Sequence, residues 1–315
     1  MPYLLGFHPA ESLVMMVIAE RLVKVTVRVD LVDDVTGVAQ RFGAIAVTNR
    51  ATGVVLVAYS ADPARADAML LPVMERLESL RVIEAIYTNG KRWWSRSCSA
   101  ECCPAEGTPY EIQSNRLAAE AVFHGMTTLG DRSELERLTA GPSPAEQPEL
   151  RKLADRLVAT VLRPDFEARR RRMRESVADY VARRKRGDRV ELSDRDLVAF
   201  ALLAMDLRVR DEAWIAISRE DAWIHAELWQ QVVARAVREL ATPPLCLLGV
   251  AAWIEGQGAL QVCCLERAMT IDRNYGMVGM LADLNERAVP PSTWDRMQEV
   301  FEEAMDQAYR QAPLD

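Results

Sequence analysis

Histidine is scarce in this chain, with three in 315 residues. Imidazole-dependent acid–base chemistry and metal centres built from several histidines therefore have few participants to draw on. Long apolar runs are missing too. The strongest, Leu13 to Ala19, falls far short of the roughly 20 residues a membrane-spanning helix needs, and no basic stretch precedes it. Motifs that announce common catalytic classes are also absent: there is no G-x-x-x-x-G-K-[ST], no G-x-G-x-x-G, no H-E-x-x-H and no G-x-S-x-G. Gly90-Lys91 has neither the upstream glycine nor the following hydroxyl of a phosphate loop. Together these gaps weigh against an enzyme and predict a cytoplasmic chain with no membrane partner.

What is present suits one large or two ordinary domains, since half the residues are apolar and 27% are charged. Six cysteines in this length do not make the dense disulfide framework of a small secreted domain, so reduced thiols are expected. The net charge of −7 is unevenly placed. Residues 1–150 carry 14 basic and 19 acidic side chains, 151–189 carry 14 and 6, and 190–315 carry 11 and 21.

Periodicity divides the chain. Ser12–Ala19 and Leu22–Val29 read as strands joined by the hairpin-length link Glu20-Arg21, and Asp33-Asp34 caps a helix running to about Asn49. A buried strand over 53–59, a helix from Pro63 to about Leu80 and a strand over 82–87 follow, which implies a crossover and a parallel pair. Asn89-Gly90 then predicts a hairpin returning through Trp93 and Trp94. The expected fold is an α/β domain with a mixed sheet over 1–140, a linker over 141–149 at Gly141-Pro142-Ser143-Pro144, and an all-α domain of helical hairpins over 150–315. Helices are predicted near 150–162, 164–186, 194–217, 220–240, 244–256, 259–271, 275–287 and 293–311. The last carries Trp294, Met297, Phe301, Ala304 and Ala308 on one stripe.

Three stretches are candidates for chemistry or binding. In Pro2-Tyr3-Leu4-Leu5-Gly6-Phe7-His8-Pro9-Ala10-Glu11-Ser12-Leu13-Val14, the polar groups His8, Glu11 and Ser12 stand at a strand entrance, where a ligand could meet them. In the second, Cys98, Cys102 and Cys103 could hold zinc with a fourth ligand such as His124, pair as a redox loop closed by Pro104, or be structural thiols. Cys246, Cys263 and Cys264 sit in apolar helices and read as core. In the third, Arg169, Arg170, Arg171 and Arg172, with Arg174 and Arg183 to Arg186, form a basic helix that could meet nucleic acid. Interleaved acids at i to i+4, Glu167 with Arg171 and Asp179 with Arg183, favour instead a salt-bridged helix or one docked on the acidic C-terminal part.

The first two stretches together resemble a family of actinobacterial proteins of unknown function, whose members carry P-Y-L-L-G-F-x-P-x-x-S-L-V and later W-x-x-x-x-C-x-x-x-C-C-P-x-x-G. The resemblance extends to Asp131-Arg132-Ser133-Glu134-Leu135 and to the region from Pro244 to Trp294. Family members often have Arg where His8 stands, and carry a lead-in segment before the motif that here begins at Pro2. Residues 253–284 also resemble a single tetratricopeptide-like unit, with Trp253, Gly256, Ala259 and Ala268 in place but Arg273 where proline is usual and no second copy in register. The family resemblance implies no activity. The tetratricopeptide-like likeness, beside the absent catalytic signatures, points to an interaction or regulatory protein with a helical partner-binding domain, while the sheet-edge motif and cysteine block offer the alternative of a small-molecule or metal site.

Overall fold

The computed structural model describes residues 2–77, 79–98, 103–111 and 128–311. A six-stranded mixed sheet forms in order β2-β1-β3-β4-β5-β6: β1 (Ser12–Ala19), β2 (Leu22–Asp30), β3 (Gly53–Tyr59), β4 (Val82–Thr88), β5 (Arg92–Ser95) and β6 (Thr108–Pro109). β3 and β4 are parallel and every other neighbouring pair is antiparallel. The hairpin between β1 and β2 turns on Glu20 and Arg21, both at positive φ (54° and 64°), the two-residue geometry whose twist matches its strands.

Around the sheet, α1 (Pro2–Leu5) precedes β1, α2 (Val35–Thr48) connects β2 to β3, and α3 (Pro63–Arg76) connects β3 to β4. Asp34 and Asp62 cap α2 and α3, accepting from the Gly37 and Ala64 amides at 2.9 Å. α3 ends at Arg76, short of the expected Leu80, with Leu77 as its cap. It packs beside α2 and against β1, β3 and β4, burying Ala66, Met69, Leu70 and Val73. The predicted turn forms as well: Gly90 has φ 86°, and the Asn89 side chain accepts from the Lys91 and Arg92 amides.

The chain divides into two compact units, 1–132 and 133–315. Helix α4 (Arg132–Leu138) begins at that division, and Gly141-Pro142-Ser143-Pro144 lies within the second unit, where the Ser143 amide and hydroxyl both donate to Glu146 Oε2. The second unit is helical: α5 (Gln147–Val161), α6 (Phe166–Lys185), α7 (Asp194–Leu203), α8 (Leu207–Ile215), α9 (Ala222–Arg235), α10 (Thr242–Glu255), α11 (Gly258–Ile271), α12 (Gly276–Glu286) and α13 (Trp294–Gln311).

The continuous helix expected over 194–217 is in fact two. Asp206 breaks it, because its side chain accepts from the Arg208 amide and starts α8 afresh. α10 is apolar on all sides and wholly enclosed from Thr242 to Ile254, packing between α9 and α11. Trp294 anchors α13, buried with its indole donating to the Ile217 carbonyl at 2.7 Å and its ring among Trp214, Trp253 and Phe301. The side chains of Ala304 and Ala308 lie outside the described residues. Among the described residues no helix is long and apolar enough to cross a membrane.

Candidate functional site

Strand register assembles the site. β1 begins where β3 and β4 end, so Ser12 lies opposite Asp30 on one side and Tyr59 on the other; Tyr59 then neighbours Thr88, and Thr88 faces Trp93. Residues opposed across strands share a face, so Asp30, Ser12, Tyr59, Thr88 and Trp93 form one transverse row at the end of the sheet. This row lies outside the carboxyl ends of the parallel pair, the place where open α/β sheets commonly receive ligands.

Within the row Thr88 is buried, and its hydroxyl lies 2.9 Å from the Tyr110 hydroxyl. Burial pushes the Tyr59 hydroxyl pKa up, and Tyr110 adds to the effect, so Tyr59 stays a neutral donor. Ser12 is completely enclosed, and its Oγ has no hydrogen-bond partner. Leaving a hydroxyl so costs about 1–3 kcal/mol, which makes the position a site to explain. Arg28 lies opposite Val14, two residues along the same face from Ser12. Its guanidinium reaches Asp30 at 2.6 Å and the Ala10 carbonyl at 3.3 Å, and lies 5.9 Å from the Phe7 ring centre, while its Nε is buried without a partner.

The N-terminal motif builds this end of the sheet. Phe7 pairs with Leu129, and the His8 amide donates to the Leu129 carbonyl at 3.3 Å. Glu11 takes a left-handed φ of 42°, turning its carboxylate toward the β3–α3 connection, where Ser60 Oγ lies 3.0 Å from both oxygens and the Ala61 amide donates at 3.1 Å. Arg65 adds a 3.5 Å ion pair. Glu11 thus has a full set of partners and acts as a staple, whereas Ser12 beside it has none. The half-buried His8 is tied in through its backbone.

The family model that matches residues 1–292 is described as a domain of unknown function, DUF4192. This chain belongs to the DUF4192 family. No curated protein and no solved structure matches it. The whole transverse row and the N-terminal motif fall within the DUF4192 match, whereas α13 begins just beyond it.

Elsewhere in this DUF4192 chain, the tryptophan and cysteine block follows β5. Trp94 stacks on Tyr87 with ring centres 5.0 Å apart and donates to the Ala105 carbonyl, while Arg92 donates to the carbonyls of Glu106 and Gly107. Gly107, at φ 77°, lies so close under the Trp94 ring that a Cβ would come within 2.4 Å of it. Cys98 and Cys103 are half-buried, and the Cys98 amide donates to Ser95 Oγ; Cys102 and His124 lie outside the described residues. Among the described residues no three His, Cys, Asp or Glu side chains are grouped to hold a metal ion. In the helical unit Cys246, Cys263 and Cys264 are buried, and burial pushes the Cys246 thiol up to about 12.

The basic helix α6 spends much of its charge within its own unit. Arg169 pairs with Asp206 at 3.0 Å, Arg170 and Arg174 converge on Glu212, Arg184 forks onto Glu227, and Lys185 meets Asp221 at 2.7 Å. Arg183 reaches Asp179 at 3.8 Å, as its i to i+4 spacing predicts, whereas Glu167 meets Arg170 at 3.2 Å, one residue short of the expected Arg171. Arg171 and Arg172 are exposed. His225 on α9 is almost fully enclosed, and burial pushes its pKa down to about 4 against an opposing pull from Asp221.

Sequence reasoning singled out Ser12 but missed Arg28, Tyr59, Thr88 and Tyr110. Each belongs to a different stretch of chain, and only the register brings them into line.

Proposed function

We propose that this is a cytoplasmic regulatory protein whose sheet unit binds a small ligand rich in hydrogen-bond acceptors, a carboxylate or carbonyl compound, at the row Ser12, Tyr59 and Thr88 beside Arg28. The observation that carries the reading is the enclosed, partnerless hydroxyl of Ser12 beside a second partnerless buried donor, Arg28 Nε. Hydroxyl, guanidinium and neutral phenol are all donors, and a ligand supplying acceptors there offsets the desolvation cost of the partnerless groups. Thermal-shift titration with a panel of carboxylates and carbonyl compounds tests it. A ligand selective for the folded state raises the melting temperature, and that rise must vanish in Ser12→Ala. A panel without effect, or a shift that survives the substitution, refutes this reading.

A second surface supports the partner-binding reading of the helical unit. Trp223 on α9 is 44% exposed, with the Arg184 guanidinium 5.5 Å from its ring centre. Tryptophan and arginine dominate the energetics of protein interfaces, so Trp223→Ala should abolish capture of a partner protein while leaving the fold intact. Capture unchanged by that substitution removes the surface from consideration.

A further inference from the structure

Strand β2 forms one edge of the sheet over nine residues. Leu31 donates its amide to Glu11 while Thr52 donates to Ile18, and from these two bonds the alternation along β1 and β2 follows. The backbone groups of Val25, Val27 and Val29 point toward β1, and those of Thr26, Arg28 and Asp30 point outward. None of the outward groups meets a backbone partner among the described residues. The strand contains no proline, and its hairpin end exposes Leu22 and Val23 by 61% and 44%. An edge of this kind is a template for another strand.

The sequence of the edge indicates which strand. Val23-Lys24-Val25-Thr26-Val27-Arg28-Val29 reads nearly the same in both directions about Thr26. We infer that β2 pairs antiparallel with β2 of a second copy of this chain, about a two-fold axis at Thr26, joining two sheets into one. Thr26 then exchanges both of its outward hydrogen bonds with its counterpart. On one face Val25 meets the second copy's Val27, and Val27 its Val25, so β-branched side chains oppose one another on either side of the axis. A two-fold interface requires such self-complementarity.

The charges select the same register. Centring the axis on Arg28 or on Lys24 would set that cation against its own copy. At Thr26, Lys24 lies opposite Arg28, but each brings its own carboxylate: Glu20 is 2.6 Å from Lys24, and Asp30 is 2.6 Å from Arg28. Arg28 is also turned over Phe7, with only 14% of its side chain exposed. The register shift between Val17 and Ile18 leaves Lys24 as an extra residue in β2. That bulge ends the regular ladder and keeps the interface short, so the association is reversible and concentration-dependent.

Sedimentation and disulfide trapping on the full chain test the inference. Opposed residues of a hydrogen-bonded antiparallel pair have Cα atoms about 5.5 Å apart, within disulfide range. Mild oxidation of Thr26→Cys should therefore give a dimer linked through residue 26, identified by mass spectrometry of the cross-linked peptide and absent from the parent protein. Thr26→Pro removes an outward N–H, so it leaves the β1 ladder intact, and should shift the sedimentation profile to monomer. If Thr26→Pro does not fold, the cross-link alone decides. A parent chain monomeric at every concentration, or a dimer that persists in Thr26→Pro and gives no residue-26 cross-link, overturns the assignment. The first of these outcomes would leave the edge to an extended peptide of another protein.

Discussion

The basic helix α6 and the first residue of strand β1 contrast sharply. In sequence α6 is the more conspicuous, with four consecutive arginines, yet in the fold Arg169, Arg170, Arg174, Arg184 and Lys185 all reach carboxylates of the same unit. Ser12 carries no charge and attracts little notice, yet it is enclosed without a partner. Conspicuous charge, once paired, holds helices together, whereas a quiet hydroxyl left unpaired is where a ligand has something to gain.

The strongest challenge to that contrast is to unpair α6. Glu212 is 9% exposed and serves both Arg170 and Arg174. Glu212→Ala takes from the mostly enclosed Arg170 its buried partner and should cost about 3 kcal/mol in urea unfolding, whereas Glu167→Ala, which removes an exposed partner of the same Arg170, should stay within about 0.5 kcal/mol. Equal costs would mean that the pairing is ornamental.

Acid probes the helical unit at another buried group. The folded-state pKa of His225, about 4, lies below the ordinary value of 6.5, so the unfolded chain takes up the proton first as pH falls. Stability is complete above pH 6.5 and drops by about 3 kcal/mol between 6.5 and 4, levelling off once the folded protein protonates as well. His225→Leu should flatten that part of the stability curve, whatever its effect at neutral pH. An unchanged slope would assign the acid sensitivity elsewhere.

At the sheet end the expected sign reverses. Ser12→Ala removes a hydroxyl that has no partner, so it should raise stability by about 1 kcal/mol while abolishing ligand-induced stabilisation. A loss of stability would show that the hydroxyl has a structural partner after all. The smallest effect belongs to the exposed members of the basic run: Arg171→Gln with Arg172→Gln should change unfolding free energy by less than about 0.5 kcal/mol. A larger change would place them with their paired neighbours.

Much of the architecture was legible in the sequence, because the short apolar runs of β1 and β3 and the 3.6-residue period of the helices are local signals. The order α/β then helical, the Asn89-Gly90 turn and the cap at Asp34 all rest on such signals. Asp206 escaped because a capping aspartate inside a long periodic stretch looks like any surface acid until its side chain is seen on the Arg208 amide. The transverse row escaped for a different reason: Ser12, Tyr59 and Thr88 are far apart in sequence, and their alignment depends on long-range pairing. The acceptors for the α6 arginines were legible only as a regional excess of acid, since which helix faces which is a tertiary fact.

The Glu20-Arg21 turn also bears on how the chain reaches this fold. It joins β1 to β2 through two residues, whereas β1 meets β3 only after β2 and α2 have been threaded past it. Hairpins close in about 1–10 μs, and contacts distant in sequence wait on the entropy of longer loops. The β1–β2 ribbon is thus expected to form early, with both of its long edges bare. One is claimed by β3 as folding proceeds; the edge along Thr26 stays open throughout, so at high concentration during synthesis or refolding it is the place where two immature chains would first adhere.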